Sequence, residues 1–351
     1  MGIATLIISV FTIVELNCEN LFDCQHDSLK QDTEFTPEGN RKWTKNKYWK
    51  KVNNIAQTLM SCGDDGQLPD LIALCEVEND SVMRDLSRRS PLKAGAYEYL
   101  MTDSRDTRGI NVALLYCRPT FRPLSSRSIR PEGDFEEHPP RDILYVKGIK
   151  IGGDTLHVMV VHAPSRLGGK TSSEQRRMAT ITAMSNVVDS IFHESPEARI
   201  VIAGDFNASA DELPLTTLEQ HGIVNVSRGA KGKNGAKGSY KYQGKWEYID
   251  HILVSPSLHK MSSGCRLHDA EWLLETDKAF GGCKPQRTYN GWRYNPKGCS
   301  DHLPLVLTIK AEKDERGESG NFSSLYKNNI AFFLQEWKNS INFATNLIYI
   351  L

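Results

Sequence analysis

The residues best suited to chemistry stand where apolar runs end. In "RIVIAGDFNAS", Arg199 to Ser209, an apolar stretch meets Gly204 and then Asp205, Phe206 and Asn207. If the extended chain persists, Asp205 and Asn207 point to one face. The pattern recurs. Asn17 and Asn20 follow the first apolar run in "ELNCENLFD", and Glu76 and Glu78 close "LIALCEVEN". His162 ends "VMVVHAPS", Asp250 and His251 lie in "YIDHILV", and Asp301 and His302 open "SDHLPLVL". Acids, amides and imidazoles without paired cysteines suit a hard divalent cation, Mg²⁺ or Mn²⁺. They also suit phosphoryl chemistry, where a cation and a histidine neutralise charge developing on phosphate oxygens. Singly, each has a plainer reading. Glu76 is a turn acid, Asp205 to Asn207 an Asx-type turn, His162 a satisfied structural histidine, and Asp301-His302 a cap on the last strand.

The elements that must position these residues are legible as periodicities. A strand is expected over Thr12–Leu16 and a helix from Thr44, with Tyr48, Val52, Ile55 and Leu59 at helical spacing. "DLIALCEVE" and "INVALLY" read as buried strands. "ILYVKGIKIGGDTLHVMVVHAPS" reads as a hairpin turning at Gly152-Gly153, with His162 at its far end. "SSEQRRMATITAMSNVVDSIF" reads as a helix with Ser172 and Gln175 as a capping box. "WEYIDHILVS" and "LPLVLTI" are late strands. Mixed strands and helices, with polar residues at strand ends, predict an α/β domain carrying a site at those ends.

The bulk numbers set limits. The 351 residues carry 43 basic and 43 acidic side chains, which weakens the reading of a uniformly basic nucleic-acid-tracking surface but leaves room for a local basic groove. Eight cysteines are scattered without a CxxC pair, which argues against a zinc ribbon and for a reducing compartment. Cys75 and Cys117 read as buried thiols. The apolar N-terminus has no basic flank, and its "FTIVELN" reads as the first strand. We therefore expect a cytoplasmic protein, secreted or periplasmic only if a signal peptide is missing from this start. No run is long enough for a membrane span, and a monomer is expected. Composition changes near Lys310: residues 311–351 read as a charged linker and an amphipathic C-terminal helix that packs on the domain or frays.

Taken together and in order, "NCENLFD", "CEVEN", "RGINVALLY", "PPRDIL", "VHAPSR", "GDFN", "YIDHILVS" and "SDHLPL" resemble the endonuclease/exonuclease/phosphatase superfamily. The resemblance covers about Phe11 to Lys310 and is similar in flavour to a bacterial branch. It implies an α/β fold, a deoxyribonuclease-like four-layer sandwich of two mixed β-sheets flanked by helices, with residues 1–310 as the catalytic domain. It implies Glu76 as the main metal ligand, Asn17 beside it as ligand or support, and Asp301 close to the metal. Asp205 would orient or deprotonate the attacking water, and Asn207 would hold that water or a phosphate oxygen. His302 would contact the scissile phosphate, with Asp250 fixing its tautomer and favouring its charge. His162 stands at a second phosphate-binding position, paired with either Asp103 or Asp106, and Arg141 at a phosphate-contacting arginine. Ala163 replaces an aromatic expected in the branch, and His251 is not counted as catalytic.

These roles predict a Mg²⁺- or Mn²⁺-dependent phosphoester hydrolase, an endonuclease or phosphodiesterase. The runner-up acts on a phospholipid or small phosphoester. A lipid-active member is expected to carry an apolar hairpin, and none is legible in the main domain, though the C-terminal helix, whose lesser reading is membrane-surface binding, could serve. A non-catalytic binding module would have lost the acid set, which is present. The Gly-rich basic loop "SRGAKGKNGAKGSYKYQGKWEY" offers Lys231, Lys233, Lys237 and Tyr240 for gripping a polyanion and stacking bases, against the plainer reading of a solvated loop. "RKWTKNKYWKK" is basic and aromatic too, but reads as a helix start with Tyr48 facing the core and lysines in water.

Overall fold

The computed structural model describes residues 10–63, 66–133, 135, 139–166 and 170–310. The expected C-terminal linker and helix lie outside the described residues.

Two six-stranded mixed sheets carry the fold. The first contains β1 (Val10–Leu21), β2 (Leu71–Val77), β3 (Tyr97–Met101) and β4 (Asn111–Cys117), with two late strands, Ser262–Leu267 and Leu305–Lys310. Its centre is parallel, β1 beside β2, while Leu305–Lys310 runs antiparallel to β1. The second sheet contains β5 (Phe121–Ile129), β6 (Ile143–Lys150), β7 (Thr155–His162) and β8 (Arg199–Asp205), then Asp250–Val254 and Val224–Asn225. β7 and β8 are parallel, which brings His162 level with Asp205.

The sheets pack face to face because each strand has an inward apolar set. Val158, Val160, Val201 and Ala203 join the core shared with β1 and β2. Their neighbours Met159, Val161, Ile200 and Ile202 point the other way, onto a second core. Ile181, Met184, Val188 and Ile191 of the helix Lys170–Glu194 cover that face at spacings of three and four residues. On the opposite side, α1 (Lys45–Ser61) lays Val52, Ile55, Ala56 and Leu59 against the first sheet. With both faces covered, "LIALC" of β2 is buried throughout, without alternation. The layers are helix, sheet, sheet, helix, as expected.

Several local expectations are adjusted. β1 runs past Leu16 to Leu21. The hairpin turn at Gly152-Gly153 is present, both residues having positive φ. The helix expected at Ser172 begins two residues earlier, at Lys170, so Ser172 is inside the helix rather than at its cap. Three small hairpins were not foreseen: Tyr240–Tyr242 with Lys245–Glu247, Leu274–Thr276 with Cys283–Pro285, and Tyr289–Asn290 with Arg293–Tyr294. Their strands are two or three residues long, too short to show a period.

Candidate active site

The polar strand ends converge at one edge of the sandwich. Asp205 ends β8 with its carboxylate buried between the sheets. Gly204 precedes it because a Cβ there would lie 1.8 Å from the Val161 carbonyl oxygen of β7. Asn17 of β1 donates its amide to Asp205 Oδ2 at 3.0 Å. Its own Oδ1 accepts the Glu19 N–H at 2.9 Å, so both ends of the amide are engaged in holding the strand end. The backbone N–H of Asn207 donates to Asp205 Oδ1 at 2.8 Å, an Asx-type turn. Asn207 is left-handed, φ 49°, which breaks the alternation expected from an extended chain. Its amide donates to the Ala163 carbonyl at 3.1 Å.

Asp250 opens its strand directly opposite Asp205 and is fully buried. Its Oδ2 lies 2.8 Å from His302 Nδ1, while its Oδ1 has no partner. Burial pushes the His302 imidazole toward neutrality, but Asp250, Asp301 and Asp205 outweigh it and hold its pKa well above the usual value. Nδ1 is therefore a donor to Asp250, and Nε2–H faces the crevice, 3.8 Å from Asp301 Oδ1. Asp205 is raised to about 7 by burial and by the charge of Asp250. His162 goes the other way. Burial, then Arg141 and Arg108, hold it well below the usual value, so it is neutral. Its Nε2 lies 3.6 Å from Asp205 Oδ2 and 3.8 Å from Glu76 Oε1, and its buried Nδ1 has no partner.

Neither Asp103 nor Asp106 pairs with His162. Asp106 lies instead 3.0 Å from Nε of the buried Arg141, which corrects the sequence expectation. The segment returns from β3 to β4 on the Arg141 side. Glu76 stands at the end of β2 with φ 58°, and its Oε2 accepts the Asn20 N–H at 2.8 Å. Asp301 pairs with Arg287 at 2.9 Å. His251 is buried, its Nε2 2.9 Å from the Ala208 carbonyl oxygen.

Asp205, Asp250 and His302 present atoms within 4.8 Å of one another, a spacing that metal ligands can have. The Nδ1 of His302 lies against Asp250, which leaves only its Nε2 to face a cation there. The carboxylate of Glu76, 3.8 Å from His162 Nε2, is an oxygen donor of the kind a hard cation takes.

Sequence reasoning passed over Glu15. It lies in β1 with both carboxylate oxygens buried and unpartnered, and burial, then Asp250 and Asp205, raise its pKa well above the usual value. An acid inside "FTIVELN" was the available signal. Arg287, which braces Asp301, carried none. On the basic loop, Lys231, Lys233 and Lys237 are exposed. The loop is pinned, since Asp269 accepts the N–H groups of Lys233, Asn234 and Ala236. Tyr240 is half-buried and packs on the His302 ring, centroids 4.8 Å apart. Lys241 is buried against Asp277 at 2.9 Å, and Arg228 pairs with Asp211 and Glu219.

Residues 12–311 match the Endonuclease/Exonuclease/phosphatase family. The chain belongs to that family. Its name spans nucleases and phosphatases, both of which hydrolyse phosphoesters. Solved structures share the family's fold at low identity. An endonuclease/exonuclease/phosphatase family protein from Bacteroides thetaiotaomicron is 14% identical, with a TM-score of 0.57, covering 88% of this chain and 100% of that one. Truncated TDP2 from Caenorhabditis elegans is 16% identical, with a TM-score of 0.52, covering 86% and 98%. The mannosyl-6-phosphatase Bt3783 of Bacteroides thetaiotaomicron is 14% identical, with a TM-score of 0.52, covering 85% and 98%. A search of curated proteins found no match. Among the described residues, no helix is long and apolar enough to cross a membrane.

Proposed function

We propose that this family member is a divalent-metal-dependent phosphodiesterase that cleaves nucleic acid by in-line attack of water on phosphorus. The observation that carries the reading is the buried Asp250–His302 pair, 2.8 Å apart, set beside Asp205 and the neutral His162. A structural ion pair needs no second carboxylate and no second histidine in the same buried corner. A phosphate cradle needs all of them.

In this reading Asp205 takes a proton from the attacking water. A carboxylate raised to about 7 is matched to that task near neutral pH. Asn17 fixes its orientation. The Nε2–H of His302 binds a phosphate oxygen as a cation, and Asp250 keeps it charged. His162, Asn207 and Arg141 bind further phosphate oxygens. The residue that would hold Mg²⁺ or Mn²⁺ is Glu76, with Asp301 as a second acid of the crevice and Asn17 in support through Asp205, and the cation would neutralise charge on the phosphate and its leaving oxygen.

The test is hydrolysis of plasmid DNA, single-stranded RNA, bis-p-nitrophenyl phosphate, sphingomyelin and a phosphoinositide with Mg²⁺, Mn²⁺ or EDTA. Glu76→Ala runs beside each as the contamination control. Nicking by the wild type alone supports the reading. Release of a head group or free phosphate with plasmid intact replaces nucleic acid by a lipid or small phosphoester. Activity of Glu76→Ala equal to wild type sinks the site assignment.

A further inference from the structure

The chain is neutral overall, yet two segments break that balance together. Residues 41–51 hold six cationic side chains and no acid, and residues 278–300 hold five and no acid. They are far apart in sequence and meet in the fold. Tyr289 donates its hydroxyl to the Arg41 carbonyl at 2.8 Å, and Lys51 donates to Thr288 at 2.6 Å. Tyr48 faces the core as the sequence predicts, so α1 starts normally. The cations ahead of it, however, do not simply enter water.

Two of them, Arg41 and Lys47, are laid on aromatic rings. The Arg41 guanidinium sits 4.8 Å from the Tyr289 ring and 5.5 Å from the Trp292 ring. The Lys47 ammonium sits 4.9 Å from Tyr294. Trp292, at the tip of the hairpin Tyr289–Tyr294, is 75% exposed. Among the described residues, Lys42, Lys47 and Arg293 form no ion pair with a carboxylate. A cleft of about 310 Å³ is lined by residues of both this surface and the catalytic corner, among them Arg41, Tyr289 and Gly291 of the one and Asn20 and Asp301 of the other, with Lys51 and Glu19 also in its wall.

We infer that this surface is the docking platform for the single-stranded polynucleotide flanking the scissile phosphate. It rests on the nuclease reading above and names where the substrate chain runs. A strand leaving His302 passes Asp301 through the cleft, stacks one base on Trp292, and sets its phosphates against Lys42, Lys47 and Arg293, while Arg41, paired with Glu34 at 3.0 Å, braces the rings. Cations interleaved with rings are what a base-and-phosphate chain needs, because every base has a π-face and every linkage a negative charge. A membrane surface fits less well. The tip offers one apolar side chain between Gly291 and Arg293, whereas lipid docking needs an apolar face.

The experiment uses the full chain in EDTA, so that binding is read without turnover. Anisotropy of fluorescein-labelled oligo-dT is followed across salt, with anionic phosphatidylglycerol vesicles as a second probe. Trp292→Ala is expected to weaken oligonucleotide binding about 5- to 150-fold, and Trp292→Phe to restore most of it. Lys42→Ser with Arg293→Ser is expected to lower the slope of log affinity against log salt by about 1.4. All three side chains are exposed, and a thermal melt checks that the variants fold. Binding and slope equal to wild type in both variants overturn the platform while leaving the nuclease reading intact. Loss of vesicle binding with oligonucleotide binding unchanged overturns it in favour of a membrane surface. Platform-dependent binding by a wild type that cleaves no nucleic acid upholds the platform and refutes the catalytic reading.

Discussion

Asp250→Asn isolates one charge at the centre of the site. Asp250 is fully buried, and its Oδ1 has no partner, so an amide of the same shape forfeits no second hydrogen bond. The asparagine oxygen still accepts from His302. What goes is the negative charge 2.8 Å from Nδ1. With charge centres about 4 Å apart and an effective dielectric of about 20, that charge is worth about 4 kcal/mol to the imidazolium. If the transition state needs His302 charged, kcat/KM at neutral pH is expected to fall by about 10³. The pH profile gives the sharper readout. In the wild type the rising limb belongs to Asp205, raised to about 7 by burial and then by Asp250. The falling limb belongs to His302, held well above its usual value against burial by Asp250. Removing the Asp250 charge lowers both, so both limbs shift to lower pH together. The assay is the pH dependence of kcat/KM for bis-p-nitrophenyl phosphate at saturating Mg²⁺. A falling limb that stays in place, or a loss under about tenfold, refutes the role given to the pair.

Three further outcomes are expected. Changing Lys231, Lys233 and Lys237 to serine should flatten the salt slope of single-strand binding by about 2, and an unchanged slope leaves that loop merely solvated. Gly204→Ala should cost several kcal/mol, because the new Cβ would sit 1.8 Å from the Val161 carbonyl oxygen; a wild-type melting temperature would contradict the packing of β7 on β8. Asp70 is raised from 3.8 to about 6 by burial. Its protonated form is favoured by folding, so its contribution is full below pH 3.8 and lost as pH rises through 6. Relative to Asp70→Asn, the wild type should therefore lose about 3 kcal/mol across that window, and parallel stability curves would show the shift to be absent.

What the sequence showed and what it hid divide along physical lines. Continuous apolar runs in β7 and β8, the apolar stripe of α1, and an acid, amide or histidine after each central strand are local signals, and they led to the sandwich and to the residues at its edge. Pairings that depend on a third element were not local. Asp106 could not be assigned to Arg141 rather than His162 until the two loops were placed. Glu15 reads as one polar residue in an apolar run, and only packing shows it behind Asp205 and Asp250. The small hairpins are too short for any period, so the meeting of residues 41–51 with 278–300 left no trace in either segment alone.

The deeper gap is backbone handedness. Glu19, Asn20, Glu76 and Asn207 all have positive φ, and all lie at the ends of β1, β2 or β8. For non-glycine residues such conformations cost of order 1 kcal/mol each, and they persist where the surroundings over-determine them. Here they are tied together. The register breaks between Asn17 and Leu21 of β1 and between Cys75 and Val77 of β2 on its pairing with β4, so two neighbouring strands kink at one level. The Asn20 N–H is then free of the ladder and donates to Glu76 Oε2, while the Thr288 N–H is satisfied by Glu19. A strict strand alternation would send Cys75 and Glu76 to opposite faces and carry Glu76 past the site. The left-handed turn instead brings Glu76 to 3.8 Å from His162. Glutamate has no preference for that conformation, so its composition gave no warning. The strain is thus what converts a row of strand-end acids into a single crevice.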